Sequence, residues 1–376
     1  MKKICYCTTI PLSIECFFLK SAQYLHENTD WDISFICAYN EDFKNSLPDY
    51  FHYFPVNMKR GIGIDGIKAI HEIKLIFQRE KFDLVQYSTP NAGLYASIAA
   101  KRLGIPIRVY HMMGLRYMNS SGVLRKILKT AEQITCNNST NIECVSKSNM
   151  QICVEERLFP AEKSTVIWNG SSGGVDMKRF DYSLRKQWRC DIRKELGIAD
   201  DDFVYGFVGR LNRDKGVDDL LRAFFDLNDR SKLLLIGYSS EIDTLDQSLL
   251  TKARENNRII FHDSVSDIER YYAAIDVLML PSYREGFGNV VIEAAAVGTP
   301  AIVSDIPGPT DAIIRGKTAL TVKPADYIDL KNAMITIRER DYQKMGTDAF
   351  EYVKGHFDSE MLNEKILDRK RALLKE

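Results

Sequence analysis

The segment 277-VLMLPSYREGFGNVVIEAAAVGTPAIVSD-305 predicts a strand–helix–strand unit. An apolar strand at Val277–Leu280 is followed by a polar loop, a helix over roughly Asn289–Val297 and a second apolar strand at Ala301–Val303. Two short apolar runs separated by one helix predict parallel strands joined by a crossover helix. Ligands of such folds bind beyond the carboxyl ends of the strands, so the loop 281–288 is a candidate binding site.

The same alternation continues through most of the chain. Helical patterns such as Gly66–Arg79 and Ala92–Leu103 separate the apolar runs. The predicted strands are Lys3–Thr8, Asp32–Cys37, Phe51–Val56, Phe82–Tyr87, Ile105–His111, Ile142–Val145, Thr165–Trp168, Phe203–Val208, Lys232–Ile236, Ile259–His262, Val277–Leu280 and Ala301–Val303. This order predicts an α/β protein of two doubly wound, Rossmann-like domains facing across a cleft.

A glycine- and serine-rich segment, WNGSSGGVDMKRF at 168–180, interrupts the alternation and predicts a linker. We therefore expect an N-terminal domain at 1–168 and a C-terminal domain at 169–356. The remaining residues, 357–376, are expected to form a helix that packs back towards the first domain.

Composition excludes several classes of protein. The 376 residues include 51 basic and 51 acidic side chains and are 45% hydrophobic, which excludes a disordered chain and a globally basic nucleic-acid binder. No apolar run is long enough for a transmembrane helix. Thr8, Thr9 and Pro11 interrupt the first apolar run, which favours a buried strand over a signal peptide. The eight cysteines form no CxxC pair, so we expect free thiols in the cytoplasm.

Two loops of the C-terminal half carry the clearest chemistry. In GRLNRDKG at 209–216, a guanidinium at Arg210 and an ammonium at Lys215 suit a diphosphate, although both could be solvated turn charges. In the second loop, Glu285 precedes a helix start whose free amides favour anions, and Glu293 could accept two hydrogen bonds from a ribose diol. A glycosidase carboxylate pair is disfavoured, because eight helical residues span about 12 Å.

The motif E-G-F-G-N-x-x-x-E at 285–293, with G-R-x-x-x-x-K-G at 209–216, resembles the retaining glycosyltransferases of family 4, which have the GT-B fold. Segments 88–116 and 169–180 are similar to those of members that build bacterial surface polysaccharides. The resemblance implies catalytic roles for Glu285, His111, Arg210 and Lys215. It implies donor binding by Arg210, Lys215, Val265, Gly286, Phe287, Gly288, Asn289 and Glu293. It also implies that no metal or other cofactor is needed, and the acidic pairs Asp30/Asp32 and Asp200/Asp202 precede strands instead of following them.

The N-terminal half departs from the family pattern. Its first loop, TTIPLSIE at 8–15, lacks the usual glycine pair, so a contact of Thr9 or Ser13 with the donor stays open. His111 is either the histidine that approaches the donor sugar or a packing residue. GIGIDG at Gly61–Gly66 matches a dinucleotide pattern, but we favour an acceptor loop beside Lys59 and Arg60.

The stretch Lys101–Thr130 contains seven basic residues and no acidic one. Apolar residues interleave with its last three bases, which is typical of a helix that lies on an anionic membrane surface. An ordinary solvated helix face is the alternative. The residues expected to meet the acceptor or the membrane are Arg116, Arg125, Lys126 and Lys129.

These observations lead to one principal hypothesis and two alternatives. The principal one is a cytoplasmic hexosyl- or N-acetylhexosaminyltransferase, peripheral on the inner face of the membrane. It would move a sugar from a nucleotide-diphosphate donor, such as UDP-N-acetylhexosamine, to a lipid-linked or growing surface polysaccharide. The alternatives are a sugar-nucleotide epimerase of the same fold and a two-domain solute-binding protein.

Overall fold

A computed structural model describes residues 1–58 and 65–376. It divides the chain into two compact units, the first formed by 1–173 with 360–376 and the second by 174–359. Lys59, Arg60 and most of the glycine-rich motif Gly61–Gly66 lie outside the described residues, so the acceptor loop expected there stays a prediction.

The first unit contains a parallel sheet with the order β3-β2-β1-β4-β5-β6-β7. Its strands are β1 (Lys3–Cys7), β2 (Asp32–Cys37), β3 (His52–Pro55), β4 (Leu84–Ser88), β5 (Ile107–Met112), β6 (Asn141–Cys144) and β7 (Ser164–Thr165). Its helices are α1 (Pro11–Phe17), α2 (Leu19–Asn28), α3 (Glu41–Ser46), α4 (Asp65–Glu80), α5 (Pro90–Arg102), α6 (Gly122–Asn138) and α7 (Lys147–Glu155). Two separate apolar clusters cover the two faces of this sheet, which is why its central strands are apolar throughout.

The second unit contains a parallel sheet with the order β10-β9-β8-β11-β12-β13. Its strands are β8 (Val204–Val208), β9 (Lys232–Ile236), β10 (Ile259–His262), β11 (Val277–Leu280), β12 (Ala301–Ser304) and β13 (Ala319–Val322). Its helices are α8 (Arg185–Glu195), α9 (Val217–Phe225), α10 (Gln247–Glu255), α11 (Ile268–Ala274), α12 (Asn289–Ala296), α13 (Tyr327–Glu339) and α14 (Tyr342–His356). The strand order reverses between β8 and β11, where α/β sheets bind their ligands.

The last helix, α15 (Ser359–Leu374), returns to the first unit. Ser21 Oγ donates to Asn363 Oδ1 at 2.6 Å, and Trp31 Nε1 donates to Glu376 at 3.0 Å. Leu367 and Leu374 join the apolar cluster on one face of the first sheet. The helix therefore forms part of the first unit's core.

The first loop is shorter than the sequence predicts. Pro11 occupies the first turn of α1, where its missing N–H costs nothing, so Ser13 lies in a helix instead of a loop. The loop is anchored by a hydrogen bond of 2.8 Å between the hydroxyls of Thr9 and Thr89. The strand predicted to end at His111 also continues to Met112.

Candidate functional site

The two predicted motifs of the second unit meet at the carboxyl ends of β8 and β11. Gly216 has φ +71°, and a Cβ atom there would lie 2.1 Å from the carbonyl oxygen of Pro281. The amide of Tyr283 donates to the carbonyl of Asp214 at 2.9 Å. Only glycine allows the two loops to approach this closely.

This approach brings Lys215 and Glu285 into direct contact. Lys215 Nζ lies 2.6 Å from Glu285 Oε1, and Ser282 Oγ donates to the same oxygen at 2.8 Å. The two charged side chains are 19% and 11% exposed, which makes the pair stronger than a fully solvated one. The ammonium and the carboxylate that the sequence places in separate motifs thus form one cluster.

Arg210 is paired with a residue that the sequence analysis missed. Its Nη1 donates to both carboxylate oxygens of Glu241 at 2.9 Å, and Asn212 Nδ2 donates to the same carboxylate. Glu241 lies in the loop after β9, the strand next to β8. Its position beyond the carboxyl end of a neighbouring strand was the signal that could have identified it.

The start of α12 is shaped by close backbone contacts. Gly288 has φ +94°, and a Cβ at Gly308 would lie 2.8 Å from the carbonyl oxygen of Gly286. The Phe287 side chain is buried against Phe357, with ring centroids 5.4 Å apart. Phe287 can therefore contact a ligand only through its backbone.

Glu293 is held inside the second unit by a tyrosine. Tyr272 donates its hydroxyl to Glu293 Oε2 at 2.8 Å. Burial raises the pKa of Glu293, although the Tyr272 hydrogen bond and the positive charge of Arg179 oppose the shift. A carboxylate that is desolvated in this way would gain from further hydrogen-bond donors.

Val265 lies in the loop between β10 and α11 and is half-buried. Arg179 crosses to this loop, donating to the carbonyl of Ser266 at 2.5 Å and to Glu269 at 2.9 Å. The positive charge of Arg179 also offsets part of the rise that burial causes in the pKa of Glu293, the residue expected to bind the ribose.

In the first unit, His111 is 8% exposed near the end of β5. Its Nε2 lies 3.5 Å from Ser172 Oγ, and its ring packs edge-on against Phe18 at 5.2 Å. Within the described part of the chain, Nδ1 has no hydrogen-bond partner. Burial lowers the pKa of His111 to about 4, so the ring is neutral at physiological pH.

A buried charged cluster that the sequence analysis missed lies beside His111. Glu143 of β6 is its register neighbour, and Lys370 of α15 approaches Glu143 to 3.3 Å while also donating to Gln86. Lys370 and Glu143 are only 1% and 2% exposed. Burial alone would raise the pKa of Glu143, but Lys370, His111 and Arg369 lower it below its usual value.

The basic stretch is less open than its sequence suggests. Arg125 and Lys129 of α6 contact Glu156 at 3.1 and 2.7 Å, and both cations lie over the ring of Tyr117. Both side chains are therefore paired with Glu156, which lies outside the basic stretch. The exposed basic residues among those predicted to contact the acceptor or the membrane are Arg116 and Lys126.

The surface of α6 next to Lys126 is mainly apolar. Val123, Leu124 and Ile127 are 74%, 57% and 48% exposed. Among the helices of the described residues, none has the length and apolar character needed to cross a membrane.

The eight cysteines all lie in the described residues; none forms a disulfide bond, and six of them are buried. Within residues 1–58 and 65–376, no three or more His, Cys, Asp or Glu side chains group closely enough to hold a metal ion.

Comparisons with known proteins cover both units. The model for glycosyl transferases group 1 matches residues 189–351, and the glycosyl transferase 4-like model matches residues 3–146. The capsular polysaccharide biosynthesis glycosyltransferase CapM of Staphylococcus aureus is 29% identical over 100% of this chain and 98% of its own length. An Escherichia coli UDP-Gal:alpha-D-GlcNAc-diphosphoundecaprenol alpha-1,3-galactosyltransferase is 25% identical over 83% of this chain and 81% of its own.

Solved structures show the same fold. Sucrose-phosphate synthase of Thermosynechococcus elongatus aligns with a TM-score of 0.81 and 19% identity, covering all of both chains. Anabaena Alr3699/HepE in complex with UDP aligns with a TM-score of 0.80 and 19% identity, covering 99% of this chain and 100% of its own. The chain is therefore a glycosyltransferase of the GT-B fold, in which a glycosyl transferase 4-like domain precedes a glycosyl transferases group 1 domain.

Proposed function

We propose that the protein is a retaining glycosyltransferase that moves a sugar from a UDP-sugar to a lipid-linked or growing surface polysaccharide. The observation that carries the proposal is the contact between Lys215 and Glu285, 2.6 Å apart at the carboxyl edge of the second sheet. Arg210 follows β8 at the same edge. An ammonium, a guanidinium and a carboxylate are the groups needed to hold a diphosphate and the sugar attached to it.

The leaving group of the reaction is a nucleoside diphosphate. Negative charge builds up on its β-phosphate as the bond to the sugar breaks, and Arg210 and Lys215 would stabilise this charge in the transition state. We propose that these side chains supply the charge neutralisation, with no metal required. Glu285 would lie beside the reacting carbon of the sugar.

The remaining donor contacts follow from the second unit. Glu293 keeps one carboxylate oxygen on Tyr272 and would bind the ribose diol through the rest of its acceptor capacity. The backbone groups of Gly286, Phe287, Gly288 and Asn289 would bind the sugar or its phosphates. Val265 would lie beside the nucleotide base. His111 of the first unit, neutral because of its burial, would contact the donor sugar.

The nature of the acceptor is proposed from the relatives. One relative is named for capsular polysaccharide biosynthesis, and another for transfer to a diphosphoundecaprenol-linked sugar. The exposed side chains of Val123, Leu124, Ile127 and Lys126 would hold α6 against an anionic membrane that carries such an acceptor. Co-sedimentation of the protein with anionic vesicles tests this contact. We expect Leu124→Glu to lose co-sedimentation and Ile67→Glu, at an exposed position of α4, to keep it. Equal vesicle binding by both variants would refute the contact.

Relatives named as glycosyltransferases favour sugar transfer over epimerisation or solute binding.

Thermal unfolding in the presence of UDP- and GDP-sugars tests the proposed donor. We expect a UDP-sugar to raise the unfolding midpoint of the wild type, and Lys215→Ala to lose most of this effect. The exposed residue Lys252, replaced by alanine, is the matched control. The absence of a response to every nucleotide sugar would contradict the proposal.

A further inference from the structure

We propose that a cavity lined by Arg185 and Arg189 in the second unit binds a phosphate-bearing anion. The cavity lies at the amino ends of β11 and β12, because Asp276 and Gly298, which line it, precede these two strands. The candidate donor site lies at the carboxyl ends of the same sheet. The two sites are therefore separate, and this inference does not depend on the proposed function.

The cavity has a volume of about 300 Å³. Its lining residues are Tyr182, Arg185, Arg189, Asp276, Gly298, Tyr342, Gln343 and Thr347. Gly298 has φ +74°, and a Cβ atom there would lie 2.4 Å from the Tyr182 ring and 3.3 Å from Arg185 Nη1. The space is large enough for a phosphate with a small organic substituent.

Positive charge exceeds negative charge around this cavity. Arg185, Arg189 and Arg193 follow one another at intervals of four along α8, so they share one face of the helix. Asp276 accepts hydrogen bonds from Arg189 at 2.7 Å and from Arg193 at 2.8 Å. Among the described residues that line the cavity, Asp276 is the only acidic one, so the cluster keeps a net positive charge.

The three arginines play different parts. Arg193 is 1% exposed and donates to Asp276 and to four backbone carbonyls, so its role is structural. Arg185 uses Nη1 for the Val297 carbonyl and Thr299 Oγ1, while its Nε and Nη2 have no acceptor in the described part of the chain. Arg189 is 27% exposed and likewise has no described acceptor for Nε.

The N–H groups without a described acceptor belong to side chains that already bear an electrostatic cost. Burial, and then the nearby charge of Arg189, lowers the pKa of Arg185 to about 10. A bound anion would offset the cost of burying the Arg185 guanidinium and the repulsion between Arg185 and Arg189. The planar fork of arginine matches phosphate oxygens, and Tyr342, Gln343 and Thr347 of α14 add neutral hydrogen-bonding groups on the other wall.

Inorganic phosphate is the probe for the experiment. Thermal unfolding is measured against phosphate concentration, with sodium chloride at equal ionic strength as the reference. Arg210→Ala/Lys215→Ala protein is used throughout, so that phosphate at the candidate donor site does not contribute. We expect a saturable rise of the unfolding midpoint. A midpoint that follows ionic strength alone would overturn the proposal.

Two variants assign the effect to the cavity. Gln343→Glu keeps the shape of the side chain and places a carboxylate beside the arginines, so it should raise the midpoint without phosphate and abolish the phosphate response. Arg189→Gln should also abolish the response. Gln78→Glu, at an exposed position of α4 in the first unit, should respond to phosphate like the Arg210→Ala/Lys215→Ala protein. An undiminished phosphate response in Gln343→Glu would overturn the proposal even if Arg189→Gln fails to fold.

Discussion

At the scale of single residues, each cation of the candidate donor site forms an ion pair with a carboxylate. Lys215 is paired with Glu285, and Arg210 is paired with Glu241. A diphosphate would compete with these carboxylates for the same donors. The affinity for the nucleotide thus depends on how strongly the acids hold the cations.

We predict that Glu241→Gln binds UDP more tightly than the wild type. The pair is partly exposed, with Arg210 42% exposed, and such pairs contribute at most about 1 kcal/mol, which corresponds to about a five-fold change in Kd. Isothermal titration calorimetry with UDP measures the difference, and Glu255→Gln in α10 is the exposed control. Weaker UDP binding by Glu241→Gln would show that Glu241 assists the ligand instead of competing with it.

At the scale of helices, α6 carries a buried acid whose charge state depends on pH. Glu132 is 6% exposed and accepts a hydrogen bond of 2.5 Å from Tyr110. Burial raises the pKa of Glu132 to about 7. The protonated form therefore stabilises the folded state fully below about pH 4.5, and this contribution is lost as pH rises through about 7.

We predict that Glu132→Gln removes this pH dependence. Relative to the wild type, the variant should gain about 2 to 3 kcal/mol of unfolding free energy between pH 5 and pH 8, an upper estimate because the site can relax. Chemical denaturation at both pH values measures it. Glu27→Gln, at an exposed position of α2, should show no such gain. Parallel stability curves for Glu132→Gln and the wild type would contradict the assignment.

The last helix, α15, is held to the first sheet by a buried ion pair. Lys370→Met would still leave Arg369 Nε 3.5 Å from Glu143, so the cost should not exceed about 3 to 5 kcal/mol, the usual cost of removing one partner of a buried pair. Lys365→Met, on the exposed side of α15, should cost much less. Adding Glu143→Gln to Lys370→Met should recover part of the loss, as urea denaturation would show. If Lys370→Met is as stable as Lys365→Met, the buried pair does not hold the helix.

At the scale of the whole molecule, apolar runs predict most of the architecture. The strands Asp32–Cys37, Lys232–Ile236, Ile259–His262 and Val277–Leu280 have the predicted bounds. All but Ile259–His262, which lies at the sheet edge, are buried over nearly their whole length, and such strands are mainly apolar. Strand β13 was missed, since its two central residues are half-buried and one of them, Thr321, interrupts the apolar run. The bounds of the predicted strand Thr165–Trp168 are wrong, because the strand found there, β7, consists of Ser164 and Thr165, which pair with β6.

The candidate site was predictable only in part. Both motifs follow apolar strands of one predicted parallel sheet, so Arg210, Lys215 and Glu285 are expected at the carboxyl edge of that sheet. They come into contact because β8 and β11 are neighbours in the sheet, although they are not successive in sequence. Glu241, in the loop after the neighbouring strand β9, could have been identified by the same argument. The buried pair of Glu143 and Lys370 was not predictable in this way, because the two residues are 227 apart in sequence and meet through tertiary packing, which no local spacing encodes.

A direct assay of sugar transfer tests the proposed function and the role of Glu285 together. Purified protein is incubated with labelled UDP-sugars and a polyprenyl-diphosphate-linked sugar in anionic vesicles, and the glycosylated lipid is measured for the wild type and for Glu285→Ala. The wild type should transfer one sugar with retention of its anomeric configuration. Glu285→Ala should still fold and bind UDP but lose at least about 100-fold in kcat, as expected when a group beside the reacting carbon is removed. Turnover by Glu285→Ala near that of the wild type would contradict the role of Glu285 in the transfer.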